Sequence, residues 1–248
     1  MKQIATGVSL GGSKTVSALV DVTGGLIREK TRAAVPGRAD AERRLDAIAS
    51  AITAQYEQVD PQQLAAIGVA SSGSVDPTRG VVVAAGEGVP GWRGADIVGG
   101  LRARLPWAAE LPIHVQNDVG AQAVGECWRG AGAQASSVLM LVVDAGIGAA
   151  YCVDGVVLRG THHMAGMVGG MRVAFGDVLP EDATRRHPAT FETNAAGPAI
   201  VRIYRELGGD QQVRRRRRTC WGWRPPVTSW PPEWWRGWDA GWAGCRVG

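Results

Sequence analysis

The apolar positions of this chain fall into short runs broken by glycine turns. Val138 to Val143 is a continuous apolar run, the pattern of a strand covered on both faces. Asp144-Ala145-Gly146-Ile147-Gly148 interrupts it, because two glycines two apart let the backbone turn where a Cβ would clash. Ala149 to Val153 resumes the extended pattern, and Asp154-Gly155 predicts a hairpin before Val156, Val157 and Leu158. The amino end follows the same order. Ile4 to Ser9 predicts a strand, Gly11-Gly12-Ser13 a turn and Thr15 to Val20 a second strand, with Asp21 to Gly25 turning before Leu26-Ile27. Two such units about 130 residues apart predict two similar lobes.

Between them the period changes. Asp40 is a candidate N-cap for a helix through about Val59, with Leu45, Ile48, Ala49, Ile52 and Tyr56 on one face. Leu64 to Ala70, Val81 to Ala84 and Pro112 to Gln116 predict strands, and Ile97, Leu101 and Leu105 mark a second helix. Ser71-Ser72-Gly73-Ser74 is a loop, and Gly86 to Gly94 is a second loop with Trp92 as its anchor. Asn117-Asp118 opens a helix through about Arg129, with Ala121, Val124, Cys127 and Trp128 inward. Strands alternating with helices predict an α/β architecture.

Charge matters chiefly at the carboxyl end. The formal net charge is +4, but after Gln212 eight arginines stand against two acids, so this segment carries +6 and the preceding residues −2. The body has no field suited to nucleic acid. Residues 213–248 hold five successive arginines and seven of the ten tryptophans, without Leu, Ile or any helix or strand period. Such a stretch builds no packed core. It reads either as an Arg/Trp arm for nucleic acid or as the product of a shifted reading frame, and its bias favours the second. No apolar run reaches the ~20 residues of a membrane helix, and no secretory apolar region follows Met1, so a cytoplasmic protein is expected. The cysteines, Cys127, Cys152, Cys220 and Cys245, have no metal-site spacing and read as reduced thiols.

Gly7-x4-Gly12-Ser13-Lys14-Thr15 misses the P-loop register by one residue and leads into a strand rather than a helix. A phosphate-binding hairpin and an ordinary turn both remain open there, since successive backbone N–H groups can cradle an anion. Asp118 follows a strand and starts a helix, where α/β folds place ligands, although capping alone would explain an aspartate there. Asp144 could coordinate magnesium or cap its turn. His162-His163 reads as loop rather than as a metal pair, and no metal-ligating set is expected.

Gly7 to Lys14, Gly68 to Asp76, Pro90-Gly91-Trp92, Val115-Gln116-Asn117-Asp118, Gly125-Glu126-x-Trp128, Gly146-Ile147-Gly148, Asp154-Gly155-x-x-Leu158-Arg159-Gly160 and Phe191-Glu192-Thr193 to Ala199 together resemble the ROK family of sugar kinases and sugar-responsive repressors. The resemblance covers about residues 4–206. It implies an actin/hexokinase-like (ribonuclease H-like) two-lobe ATPase fold: a first lobe over 1–133, an incomplete second lobe over 134–212, then the tail. It further implies ATP with Mg2+, and a hexose or amino-hexose hydroxyl as acceptor, as in a glucokinase. Asp118 would be the general base, Asn117, Gly73 and Gly91 would contact substrate, and Gly11, Gly12, Ser13, Lys14, Asp144, Gly146 and Gly148 would border the phosphates. Family members are often dimers or tetramers, so a homodimer is open; membranes and nucleic acid are not expected partners. The first hairpin starts so close to Met1 that a helix-turn-helix domain is not expected before it.

The chain departs from the family pattern at particular positions. Ser9 replaces an aspartate, Gly88 an asparagine, and Met167 and Gly170 replace the glutamate and histidine of a sugar-gripping Glu-x-Gly-His motif. The family's zinc-binding cysteines are missing, so no zinc is expected. A non-catalytic sugar-binding regulator is therefore the alternative to a kinase, and the kinase activity itself is open to loss.

Overall fold

The computed structural model describes residues 3–35, 39–86, 88–173, 190–206 and 208. The Arg/Trp segment 213–248, with Cys220 and Cys245, lies outside them. The chain divides into two compact units after Ala199.

In the first unit, β1 (Ile4–Leu10) and β2 (Lys14–Asp21) form the amino-terminal hairpin, in register from Ile4↔Asp21 to Leu10↔Thr15. The third strand, β3 (Thr31–Ala34), starts later than Leu26-Ile27; only an isolated bridge, Val20↔Leu26, forms there. The cause is the turn, where Asp21 Oδ1 accepts from the amides of Thr23 and Gly25 and holds the chain back. Helix α1 (Ala41–Tyr56) is capped by Asp40, whose carboxylate accepts from the Arg43 amide at 2.9 Å. Its 3.6-residue period lays Leu45, Ile48 and Ile52, all buried, against β1 and β2.

The chain then forms β4 (Leu64–Ser71), the short pair β5 (Ser74–Asp76) and β6 (Val81–Ala84), α2 (Ile97–Arg104), β7 (Ile113–Asn117) and α3 (Asp118–Arg129). The main sheet has the order β3-β2-β1-β4-β7, with β4 parallel to both β1 and β7. Leu10, Leu19, Ile67, Val69 and Val115 fill the core between this sheet and the helices.

The second repeat is β8 (Ser137–Val143), β9 (Ile147–Val153) and β10 (Val156–Val157), ordered β10-β9-β8 and antiparallel throughout. It reproduces β3-β2-β1 of the first sheet. Helices α4 (Phe191–Ala195) and α5 (Gly197–Glu206) follow. The second unit carries the end of α5, with Arg202 Nε 3.6 Å from Glu206 Oε1 one turn on. Among the described residues no helix is long and apolar enough to cross a membrane.

Two faces differ from the pattern read off the sequence. On α3 the inward residues are Val119, Ala123 and, half-buried, Cys127, whereas Val124 and Trp128 face solvent. The helix is turned so that Val119, buried in its first turn, meets the second sheet. On β8 only Val138, Met140 and Val142 are packed; Leu139 is 72% exposed, with Leu141 and Val143 open beside it. In the first repeat α1 packs across β1 and β2, and among the described residues nothing equivalent covers this face.

Candidate active site

The site is built by strand register. Leu10 of β1 pairs with Ser71 of β4, and Ser71 pairs with Asn117 of β7, so three parallel strands end in one row. Each strand then releases its loop at the same sheet edge: Gly11-Gly12-Ser13, Ser72-Gly73, and the first turn of α3. This is the carboxyl edge at which open α/β sheets bind ligands. Ser72 Oγ donates to the Leu10 carbonyl at 3.0 Å and ties the first two loops together. Trp92, fully buried, donates from Nε1 to Ser71 Oγ at 2.9 Å and anchors the loop that carries Gly91 beneath them.

Asn117, not Asp118, is the cap of α3. Its Oδ1 accepts from the Gly120 amide at 3.0 Å, and its Nδ2 donates to the Gly73 carbonyl at 2.8 Å and to Asp118 Oδ1 at 3.0 Å. Asp118 is the first helical residue, so capping does not account for it. Its Oδ1 also accepts from the Val119 amide at 2.9 Å. Burial raises the Asp118 carboxyl above the ordinary aspartate range, partly offset by those two hydrogen bonds. A partly desolvated carboxylate held by one oxygen is suited to accept a proton.

Gly73 (φ +89°) and Gly91 (φ +71°) both need the left-handed region, but for different surroundings. A Cβ on Gly73 would strike the Ala84 carbonyl, whereas one on Gly91 would meet nothing within 4 Å.

The two glycine corners differ as anion cradles. In the first, the Gly11 amide donates to the Lys14 carbonyl at 2.9 Å, while the amides of Gly12 and Ser13 make no hydrogen bond among the described residues. Gly12 faces only the Gly88 carbonyl, 4.0 Å from where its Cβ would be, and Lys14 is exposed. In the second corner, the Asp144 amide donates to the Gly146 carbonyl at 2.9 Å, and the Ile147 amide donates to Glu192 Oε2 at 2.8 Å. Its glycines are required by packing. A Cβ on Gly148 would lie 2.9 Å from Val119 Cγ2, and one on Gly146 would overlap the Glu192 carboxylate. Gly148 thus brings the second corner onto the same α3 turn that presents Asp118.

Among the described residues no three His, Cys, Asp or Glu side chains converge on a metal position. A magnesium ion held through phosphate oxygens with one or two carboxylates needs no such cluster; Asp144 stands at the second corner, and Asp118 on the α3 turn packed against it.

Met167, Val168, Gly169 and Gly170 form a short turn at the end of β9's covering loop. That loop is fixed by the Ala149 amide donating to the Gly166 carbonyl at 2.8 Å, by Ser74 Oγ on Met164 Sδ at 3.2 Å, and by His163 Nε2 at 3.8 Å from Asp76. No local sequence signal makes Glu192 a site residue, since it acts on Ile147, 45 residues away. Only its place in Phe191-Glu192-Thr193 marked it.

Comparison with known proteins bears on the family and the fold. The ROK family model matches residues 5–220. A ROK-family glucokinase of Streptomyces griseus, solved with glucose and AMPPNP, superposes with a TM-score of 0.67 at 28% identity, covering 82% of this chain and 60% of that one. A glucokinase of Thermotoga maritima is 28% identical over 81% of this chain and 59% of its own length. A putative xylose repressor of a Caldicellulosiruptor strain is 28% identical over 69% of this chain and 42% of its own length. The chain thus spans about three fifths of the glucokinases it matches. The fold is actin/hexokinase-like, and the chain belongs to the ROK family.

Proposed function

We propose that this chain is a sugar-kinase-like ROK protein that transfers a phosphoryl group from ATP to a hydroxyl of a hexose or amino-hexose, with Asp118 as the general base. The reading rests chiefly on Asp118, released from capping by Asn117 and partly desolvated at the common end of three strands. Asp118 would take the proton of the attacking hydroxyl. Asn117 would hold that carboxylate and orient the sugar, with Gly73 and Gly91 shaping the acceptor side. The amides of Gly12 and Ser13, with Gly11 and Lys14, would receive one end of the polyphosphate, and Asp144, Gly146 and Gly148 would border the other. Magnesium bound with the nucleotide would neutralise phosphate charge; phosphoryl transfer otherwise depends on positioning and electrostatics. The lobes would divide at 133/134, in the turn where the Gly132 amide donates to the Glu126 carbonyl.

The test is ADP release coupled to a panel of hexoses and amino-hexoses. Hexose-dependent turnover that falls by about 10² or more in Asp118→Ala supports the assignment. Silence across the panel overturns it.

A second reading, a sugar-binding protein without transfer, is favoured by Ser9, Met167 and Gly170, which remove charged or polar groups of the family pattern. Calorimetry separates the two: sugar uptake without nucleotide and without ADP release supports the binder, and any Asp118-dependent release rejects it.

A further inference from the structure

Two thiols meet in the small core that joins α3 to the second sheet. Cys152 is the penultimate residue of β9, the central strand of its sheet, between Val138 of β8 and Val157 of β10, and is 1% exposed. Cys127 lies on the inward side of α3, half-buried, packed into the same cluster with Val119, Ala123 and Ala150. The two residues thus line one small cluster, on two elements packed directly against each other. No part of the proposed phosphoryl transfer uses them.

We propose that Cys127 and Cys152 form a reversible disulfide that staples α3 to β9 when the protein meets a low-molecular-weight disulfide. The direction of attack follows from access. The half-exposed Cys127, as thiolate, attacks one sulfur of the small disulfide; a Cys127–S–S–R bond forms and one thiolate RS⁻ leaves. Cys152, having lost its proton to solvent, then attacks the Cys127 sulfur, forming the protein disulfide and releasing the second RS⁻. Two protein thiols are oxidised and one small disulfide is reduced to two thiols. Burial first, and the neighbouring Cys127 second, push the Cys152 thiol up to about 11, so closure is the slow step and quickens with alkaline pH.

The staple would act on the helix that presents Asp118 and on the strand that starts at Gly148. In the reduced protein that junction rests on small side chains, Ala123 and Ala150, and on the thiols themselves. A covalent tie there restricts opening of the two elements against each other.

The experiment uses the full chain with Cys220→Ser and Cys245→Ser, equilibrated with oxidised glutathione and then digested without reduction. The expected result is a peptide pair joined through Cys127 and Cys152, two hydrogens lighter than its reduced components. With it should come a higher melting temperature and slower amide exchange over 118–129 and 147–153, all reversed by dithiothreitol. Cys127→Ser and Cys127→Ala should each abolish every one of these changes. A protein that stops at glutathionylated Cys127, or whose two thiols both remain alkylatable after equilibration at alkaline pH, overturns the proposal.

Discussion

The Ile147 amide donates to Glu192 Oε2 at 2.8 Å, so the second glycine corner is held shut by a carboxylate from α4. One amide that could have faced a phosphate is already engaged, and the same carboxylate leaves no room for a side chain at Gly146. Glu192→Ala should lower stability by about 1 kcal/mol, the net worth of one such bond. Glu192→Gln should recover most of that loss, because the amide oxygen still accepts. Urea melts of the two variants check this; equal losses would mean that the contact contributes nothing as a hydrogen bond.

Asp118 is predicted to cost stability at neutral pH. Its carboxyl is raised above the ordinary value, chiefly by burial, so the folded chain holds that proton more tightly than the unfolded chain. Stability from this group is therefore highest below the ordinary aspartate value of 3.8 and declines as pH rises through the window up to the raised value. Asp118→Asn should remove that decline and melt higher than the parent at pH 7, while losing any phosphoryl transfer. Melting temperature against pH for both proteins is the measurement, and parallel curves would contradict the linkage.

Gly73 and Gly91 should respond differently to alanine although both have positive φ. Gly91→Ala meets open space and should cost only the left-handed penalty, about 1–2 kcal/mol. Gly73→Ala adds a collision with the Ala84 carbonyl, which no rotamer change can relieve, and should cost distinctly more. It should also disturb the Gly73 carbonyl that receives Asn117, so sugar binding should weaken with stability. Comparable melts for the two variants would contradict the contrast.

The open face of β8 predicts a solubility effect without a folding effect. Leu139, 72% exposed, stands beside Leu141, Val143 and Tyr151 on one apolar surface, the kind of patch that drives association. Leu139→Lys should raise the concentration at which the protein stays monodisperse and leave its stability within about 0.5 kcal/mol of the parent's. A large drop in melting temperature would mean that the face is covered in solution.

Much of the architecture is written locally. Asp40 caps its helix, the glycine corners turn where the paired strands need them, and the β10-β9-β8 ribbon repeats β3-β2-β1. Each of these depends on backbone freedom, side-chain period or a neighbour three residues away, all visible in consecutive letters. The family pattern likewise sits in short motifs whose order survives in the linear chain.

The rest depended on which distant segments touch. Strand register put Leu10, Ser71 and Asn117 in one row, and only that row shows Asn117 as the cap and Asp118 as the residue left over. The same long-range pairing turned α3 toward Val119, Ala123 and Cys127, brought Glu192 to Ile147, and left one face of an evenly apolar strand in water. An apolar run states that a strand forms, but what lies against each face is decided by elements dozens of residues away, and no local period encodes them.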